Sequence, residues 1–213
     1  MSRFEVTTAH WTMYIPSITF GIGSTLMDLD QLNNIQKPMM DAILPKMGYS
    51  SKTCRYVVFG PRNYLGIGAT DLVTERGVQQ TLMLVLKHIR SGQDLSKLLR
   101  IGLKWFQLHA GIARPILECP SIALPYLEVG WFQTLRKFVC FINAEIHIIN
   151  LHVTHALREN DHTLMESFLE TQHVTCTELY CLNLCRIYLR VEFLSEICNP
   201  EGDNILHEVW QGR

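Results

Sequence analysis

TDLVTERGVQQTLMLVLKHIRSGQDLSKLLRIGLKWFQLHAG, residues Thr70–Gly111, is the stretch whose periodicity sets the fold class. Thr70 or Asp71 can cap a helix, and Val78, Leu82, Val85, Leu86 and Ile89 recur at the steps of one buried helical stripe. Ser91-Gly92 ends that helix. Asp94 opens a second one, with Leu95, Leu98, Leu99, Trp105 and Phe106 apolar, running to Gly111. On this second helix Lys97, Arg100 and Lys104 lie at i, i+3 and i+7, opposite Leu95, Leu98 and Leu99. Lys87 and Arg90 lead into the basic face, and Arg136 and Lys137 follow it further along. A stripe of this kind can track phosphates without reading sequence. The solvated face of an ordinary amphipathic helix has the same spacing.

Upstream, residues 1–27 are polar and Thr-rich, with Trp11, Tyr14 and Phe20 as isolated aromatic anchors. A helix is predicted from about Asp28, with Leu29, Leu32 and Ile35 at helical spacing. Pro38 restarts a helix whose Met39, Met40, Ile43, Leu44 and Met47 face a core until Gly48. Tyr56-Val57-Val58-Phe59, closed by Gly60-Pro61, is the best strand candidate.

Downstream, Pro115, Pro120 and Pro125 break the chain and mark 112–128 as a linker. Beyond it Trp131, Leu135, Phe138 and Ile142 keep helical spacing, and Ile146-His147-Ile148-Ile149 reads as a second short strand. Asn160 or Asp161 is placed to cap one more helix, and Thr177 another reaching about Leu194. The expected fold is therefore mainly α, bundle-like, with one or two short β-strands. Its expected layout is a basic helical part at 1–111, the linker, and an acidic helical part at 129–213.

Composition fits a folded chain: 47% of the 213 residues are hydrophobic and 18% are charged, which excludes disorder as the dominant state. The longest uncharged stretch, Val6–Met27, is broken by Pro16, Gly21 and Gly23 and is too polar to span a membrane. Arg3 and Glu5 lead into no apolar run, so no signal peptide is expected. Seven dispersed cysteines then argue for free thiols in a reducing compartment, the cytoplasm or nucleus. The net charge of −1 hides an asymmetry. From Lys37 to Lys137 there are 14 Lys/Arg and 6 Asp/Glu, and from Phe138 onward 4 and 11. Such a pattern suits a polyanion partner, and equally suits attraction between the two parts.

Few residues suggest chemistry. His173, Cys176, Cys181 and Cys185 are four soft ligands of the kind that close a tetrahedral zinc site. Cys181 and Cys185 fall one turn apart in an apolar helix, however, where small buried cysteines are ordinary, so no metal is expected. His152 and His155, with His147 nearby, are a weaker set. Gly66-Ile67-Gly68 lacks the rest of any nucleotide-binding motif and reads as a turn. Asp28 and Asp30 sit where a helix N-terminus favours acids. No Gly-x-Ser-x-Gly elbow and no activated cysteine is present, and no cofactor is expected.

The order of short motifs carries a resemblance. Trp11 and Tyr14-Ile15-Pro16-Ser17-Ile18-Thr19-Phe20 are followed by Leu44-Pro45-Lys46-Met47-Gly48-Tyr49 and Arg55-Tyr56-Val57-Val58-Phe59-Gly60-Pro61. Leu65-Gly66-Ile67-Gly68, Thr74-Glu75-Arg76-Gly77 and Lys97-Leu98-Leu99-Arg100-Ile101 come next. Asn183-Leu184-Cys185-Arg186-Ile187-Tyr188-Leu189 and Leu194-Ser195-Glu196-Ile197 close the series. Together they resemble the segment just after the catalytic palm in retroelement reverse transcriptases of unicellular eukaryotes, over nearly the whole chain from Trp11. The sequence departs from that pattern at Tyr64, where a glycine is usual, and at His155, where a proline is.

The resemblance implies a thumb and connection region that grips a primer–template backbone beside an upstream polymerase domain. The family's two-metal chemistry needs an aromatic-x-Asp-Asp turn, and this chain has no Asp-Asp pair. The expected function is therefore that of a catalytically inert accessory region contacting RNA or DNA, possessed either by a working protein or by a truncated remnant of one. The alternatives are a stand-alone helical interaction module and a small zinc protein.

Overall fold

The computed structural model of the chain describes residues 2–87, 94–148, 156, 158–171 and 173–210. It is mainly α-helical, and among the described residues the only β-type pairings are isolated bridges between Thr163 and Phe193 and between Cys198 and Ile205. The chain divides into two compact units, Met1–Arg90 and Ser91–Arg213.

In the first unit Ser2 caps α1 (Arg3–Ala9) in a reciprocal box with Glu5. A π-helical turn, His10–Tyr14, leads into α2 (Ile15–Ile22). The Thr-rich start is thus helical, and Phe20 projects into solvent rather than anchoring anything. Asp28 caps α3 (Leu29–Lys46) in a second box with Gln31, so its carboxylate has the structural role that the helix dipole favours. The restart expected at Pro38 does not occur: α3 runs unbroken through Pro38 and Pro45. Met39, Met40 and Leu44 of α3 pack with Val58 into one core cluster, and Leu32 packs with Ile22 and Leu72 into another.

The strand expected at Tyr56–Phe59 is instead a helical turn, α4 (Arg55–Phe59). The loop behind it supplies the reason. The N–H groups of Ile67, Gly68 and Ala69 donate to the carbonyls of Val57, Gly60 and Val58, so this backbone is satisfied without a partner strand. Gly66 passes so close to Gly60 that a Cβ there would stand 2.0 Å from the Gly60 carbonyl oxygen.

Asp71 caps α5 (Leu72–Leu82), which continues into a π-helical turn, Met83–Lys87. Its buried residues are Leu72, Arg76, Gly77 and Gln80, while Val78, Leu82, Val85 and Leu86 of the expected stripe are exposed. Ile89 lies outside the described residues. Polar groups set this orientation: Arg76 donates to the Met27 carbonyl, and the Gln36 side-chain oxygen accepts the buried Leu72 N–H at 3.0 Å.

The second unit holds α6 (Asp94–Ala110), α7 (Trp131–Phe141), α8 (Leu164–Glu170), α9 (Cys176–Leu189) and α10 (His207–Trp210). Thr163 and Thr175 cap α8 and α9, in place of the expected Asn160 or Asp161 and Thr177. Ile146–Ile148 forms no strand; Ile149 lies outside the described residues.

Residues 112–128 are not a linker. Ile112, Ile116, Leu117, Leu124 and Tyr126 are buried. Gln107 of α6 donates to the carbonyls of Ile112 and Arg114 at 2.9 Å and accepts the Ile116 N–H at 2.8 Å. The Tyr126 hydroxyl donates to the Ala110 carbonyl at 2.5 Å. The three prolines shape a turn-rich segment whose backbone is paid for by side chains of the flanking helices. The layout expected from the sequence, with boundaries at 111 and 129, therefore does not coincide with the two units.

Candidate nucleic-acid interface

α6 buries one face and exposes the other. Ser96, Leu99, Leu103, Gln107 and Ala110 form its buried line at three- and four-residue steps. Across from α6, the ring of Phe106 stacks on Phe132 of α7 with centroids 5.8 Å apart. A Cβ at Gly102 would meet the Phe132 ring at 2.9 Å, so the two helices approach closely there. At its C-terminal end the Arg186 guanidinium donates to the carbonyls of Leu108 and His109 and to Asn183. Gly111 follows at φ +62°, where a Cβ would stand 2.7 Å from the Arg186 guanidinium carbon, so both conformation and space require glycine.

Lys97, Arg100 and Lys104 project from the exposed side of this anchored helix. Lys97 makes a surface ion pair with Asp94 at 3.2 Å, an interaction worth about 0–1 kcal/mol and easily exchanged for another anion. Among the described residues no carboxylate pairs with Arg100 or Lys104. Of the acids in the C-terminal part that could neutralise the stripe, Glu166 accepts from Thr163 and Glu178 from Thr175, while Glu170 is exposed and makes no ion pair with Lys97, Arg100 or Lys104.

Leu98 does not lie on the buried side, as the sequence suggested. It is 65% exposed, and with Ile101 at 64%, Trp105 at 59% and exposed Leu108 it makes a second apolar ridge beside the basic one. The signal was present in the sequence, since 98, 101, 105 and 108 also step at helical spacing. One helix carried two apolar stripes, and only one could face the core.

The remaining basic residues divide. Lys137 is exposed. Arg136 is only 3% exposed and donates to the carbonyls of Ile116, Cys119 and Ile122, holding the Pro-rich segment in place. Burial lowers its pKa, and no phosphate can reach it, so it leaves the candidate interface. Lys87 ends the π-helical turn after α5, its side chain lying outside the description, and Arg90 lies outside the described residues altogether.

The soft-ligand set does not converge. Among the described residues no group of three or more His, Cys, Asp or Glu could hold a metal ion. Cys181 and Cys185 are exposed rather than packed in a core, because the buried line of α9 runs through Leu179, Asn183 and Arg186 on its other side. His147 lies 3.4 Å from Glu118 and 3.6 Å from Glu145 on the surface, and His152 and His155 lie outside the described residues. No helix among the described residues is long and apolar enough to cross a membrane. Comparison with protein-family models, curated proteins and solved structures finds no match to this chain.

Proposed function

We propose that this chain is a catalytically inert, nucleic-acid-contacting accessory region of a reverse-transcriptase-like retroelement protein, working in the cytoplasm or nucleus. Lys97, Arg100 and Lys104 contact phosphates, with Trp105 on the same helix and exposed Lys137 of α7 as a further contact. The observation that carries this is the exposure of three cations on one face of a helix whose other face is fixed in a core. Cations so held meet a backbone repeatedly without reading bases, and an exposed indole offers a stacking platform for an unpaired one. The ordered motifs from Trp11 to Ile197 support the retroelement origin, and the lack of an Asp-Asp pair supports the inert character.

Salt titration tests it. Binding of duplex DNA should weaken with salt at a log–log slope of roughly −0.9 per contact, so about −2.7 for three contacts. Replacing Lys97, Arg100 and Lys104 together with Gln should flatten that slope while helical content stays, since Gln is a good helix former. Negligible binding at low salt would refute the proposal.

One observation favours a second reading. The ridge of Leu98, Ile101, Trp105 and Leu108 is the kind of face a protein partner covers, an upstream polymerase domain or a separate protein. Under that reading Trp105→Ala abolishes capture of a protein partner, and the triple Gln variant leaves nucleic-acid affinity unchanged.

A further inference from the structure

The first unit contains a cleft of about 460 Å³ that the proposed function does not use. It lies among α1, the π-helical turn after it, α3 and the loop before α5, and its size is within the range of small-molecule sites. Its floor is apolar, with Met40, Ile43, Leu44 and Ile67. Two arginines line the same space. The Arg3 guanidinium lies 5.4 Å over the ring of Tyr49, and that of Arg62 lies 5.3 Å over the ring of Trp11. Stacking on rings orients a guanidinium without neutralising it.

Among the described residues neither Arg3 nor Arg62 has a carboxylate within 4.0 Å. Arg62 uses its Nε on the Ile67 carbonyl at 3.2 Å, which fixes the fork while leaving its outer amino groups for another acceptor. His10 also lines the cleft, 3% exposed, and its Nδ1 has no hydrogen-bond partner. Burial lowers the His10 pKa, so this wall adds a neutral imidazole and no third charge at neutral pH. A cleft with an apolar floor and two oriented cations without carboxylate partners suits an anion that also carries an apolar body.

We propose that this cleft binds a small amphiphilic organic anion, whose single carboxylate or phosphate head is held by Arg3 and Arg62 and whose apolar body rests on Met40, Ile43, Leu44 and Ile67. The proposal is independent of nucleic-acid binding by α6.

Isothermal titration of the full chain with octanoate, octyl phosphate, neutral octan-1-ol and inorganic phosphate tests it. One of the two amphiphilic anions binds saturably, and the preferred head tells carboxylate from phosphate. Octan-1-ol and inorganic phosphate each bind at least roughly tenfold more weakly, the factor set by about 1.4 kcal/mol. Arg3→Gln and Arg62→Gln each weaken the preferred anion roughly ten- to a hundredfold, the range for a lost charge-assisted hydrogen bond. If a variant loses its helical signal, the parent protein decides alone: affinity for the anion must fall as salt rises. Failure of both amphiphilic anions to bind, equal binding of octan-1-ol, or salt-independent affinity overturns the proposal.

Discussion

Arg136 gives its guanidinium to three backbone carbonyls, whereas Arg100 gives its to solvent. In the sequence nothing separates them, because a cation beside Lys137 reads as surface until the carbonyls that surround it are placed. Replacing Arg136 with Met should cost about 2–4 kcal/mol of stability in urea, since buried acceptors are left unpaired. Arg100→Gln should stay within about 0.5 kcal/mol of the parent yet reduce the DNA salt slope by roughly 0.9. An Arg136→Met chain as stable as its parent would contradict the buried role. Two histidines supply a pH dependence. Burial lowers the pKa of His10 and His109 from the ordinary 6.5, with Arg186 adding to the effect at His109. The unfolded chain therefore binds protons that the folded chain refuses. Stability contributed this way is fully present above about pH 6.5 and declines as pH falls from there towards the folded values. The urea midpoint should drop between about pH 7.5 and 5.5, and a His10→Asn variant should drop less over the same interval.

At the scale of elements, the sequence was legible wherever a single periodic signal had no rival. α7 lies where its apolar spacing put it, and Gly66-Ile67-Gly68 falls in the loop that feeds α5. It misled where a partner elsewhere in the chain decided the outcome. Tyr56–Phe59 has the composition of a strand, yet its carbonyls are met by the returning loop. The stripe on α5 was out of phase because Arg76 and Gln80 go inside, which apolar periodicity cannot anticipate. The cysteines of α9 were misplaced for the same reason: its inward line includes Asn183 and Arg186. Pro38 is a case where local cost loses to tertiary gain. It sits in the exposed middle of α3, removing the N–H that would bond the Asn34 carbonyl, while Met39, Met40 and Leu44 hold the helix against its core. Pro38→Ala restores that bond and should raise stability by roughly 1–3 kcal/mol, read as a higher urea midpoint with an unchanged slope. A lower midpoint would mean that the proline's fixed φ in the unfolded chain outweighs its missing donor.

For the whole molecule, the division between units changes the meaning of the charge pattern. The basic middle seen in the sequence is shared between them: the first unit has 9 Lys/Arg against 6 Asp/Glu, and the second has 10 against 14. α6 therefore presents its cations from a unit that is acidic as a whole, so contact with a polyanion depends on the local stripe rather than on long-range attraction. The same division predicts which fragments fold. A cut at the boundary read from the prolines would give a 129–213 chain without Gln107, without Ile116 and Leu117, and without the three carbonyls that receive Arg136. Arg136 and Arg186 would each keep their charge while losing backbone acceptors on the removed segment, and Phe132 would lose the stacked ring of Phe106. Arg186 would still have Asn183 and Glu192, but a buried Arg136 without its three acceptors and an opened core each cost several kcal/mol, comparable to the whole stability of a small domain. A 91–213 chain keeps all of these partners. It should unfold cooperatively in urea with helical circular dichroism, while the 129–213 chain should show no cooperative transition. Equal cooperativity of the two fragments would mean that the Pro-rich segment is dispensable to the core it fills.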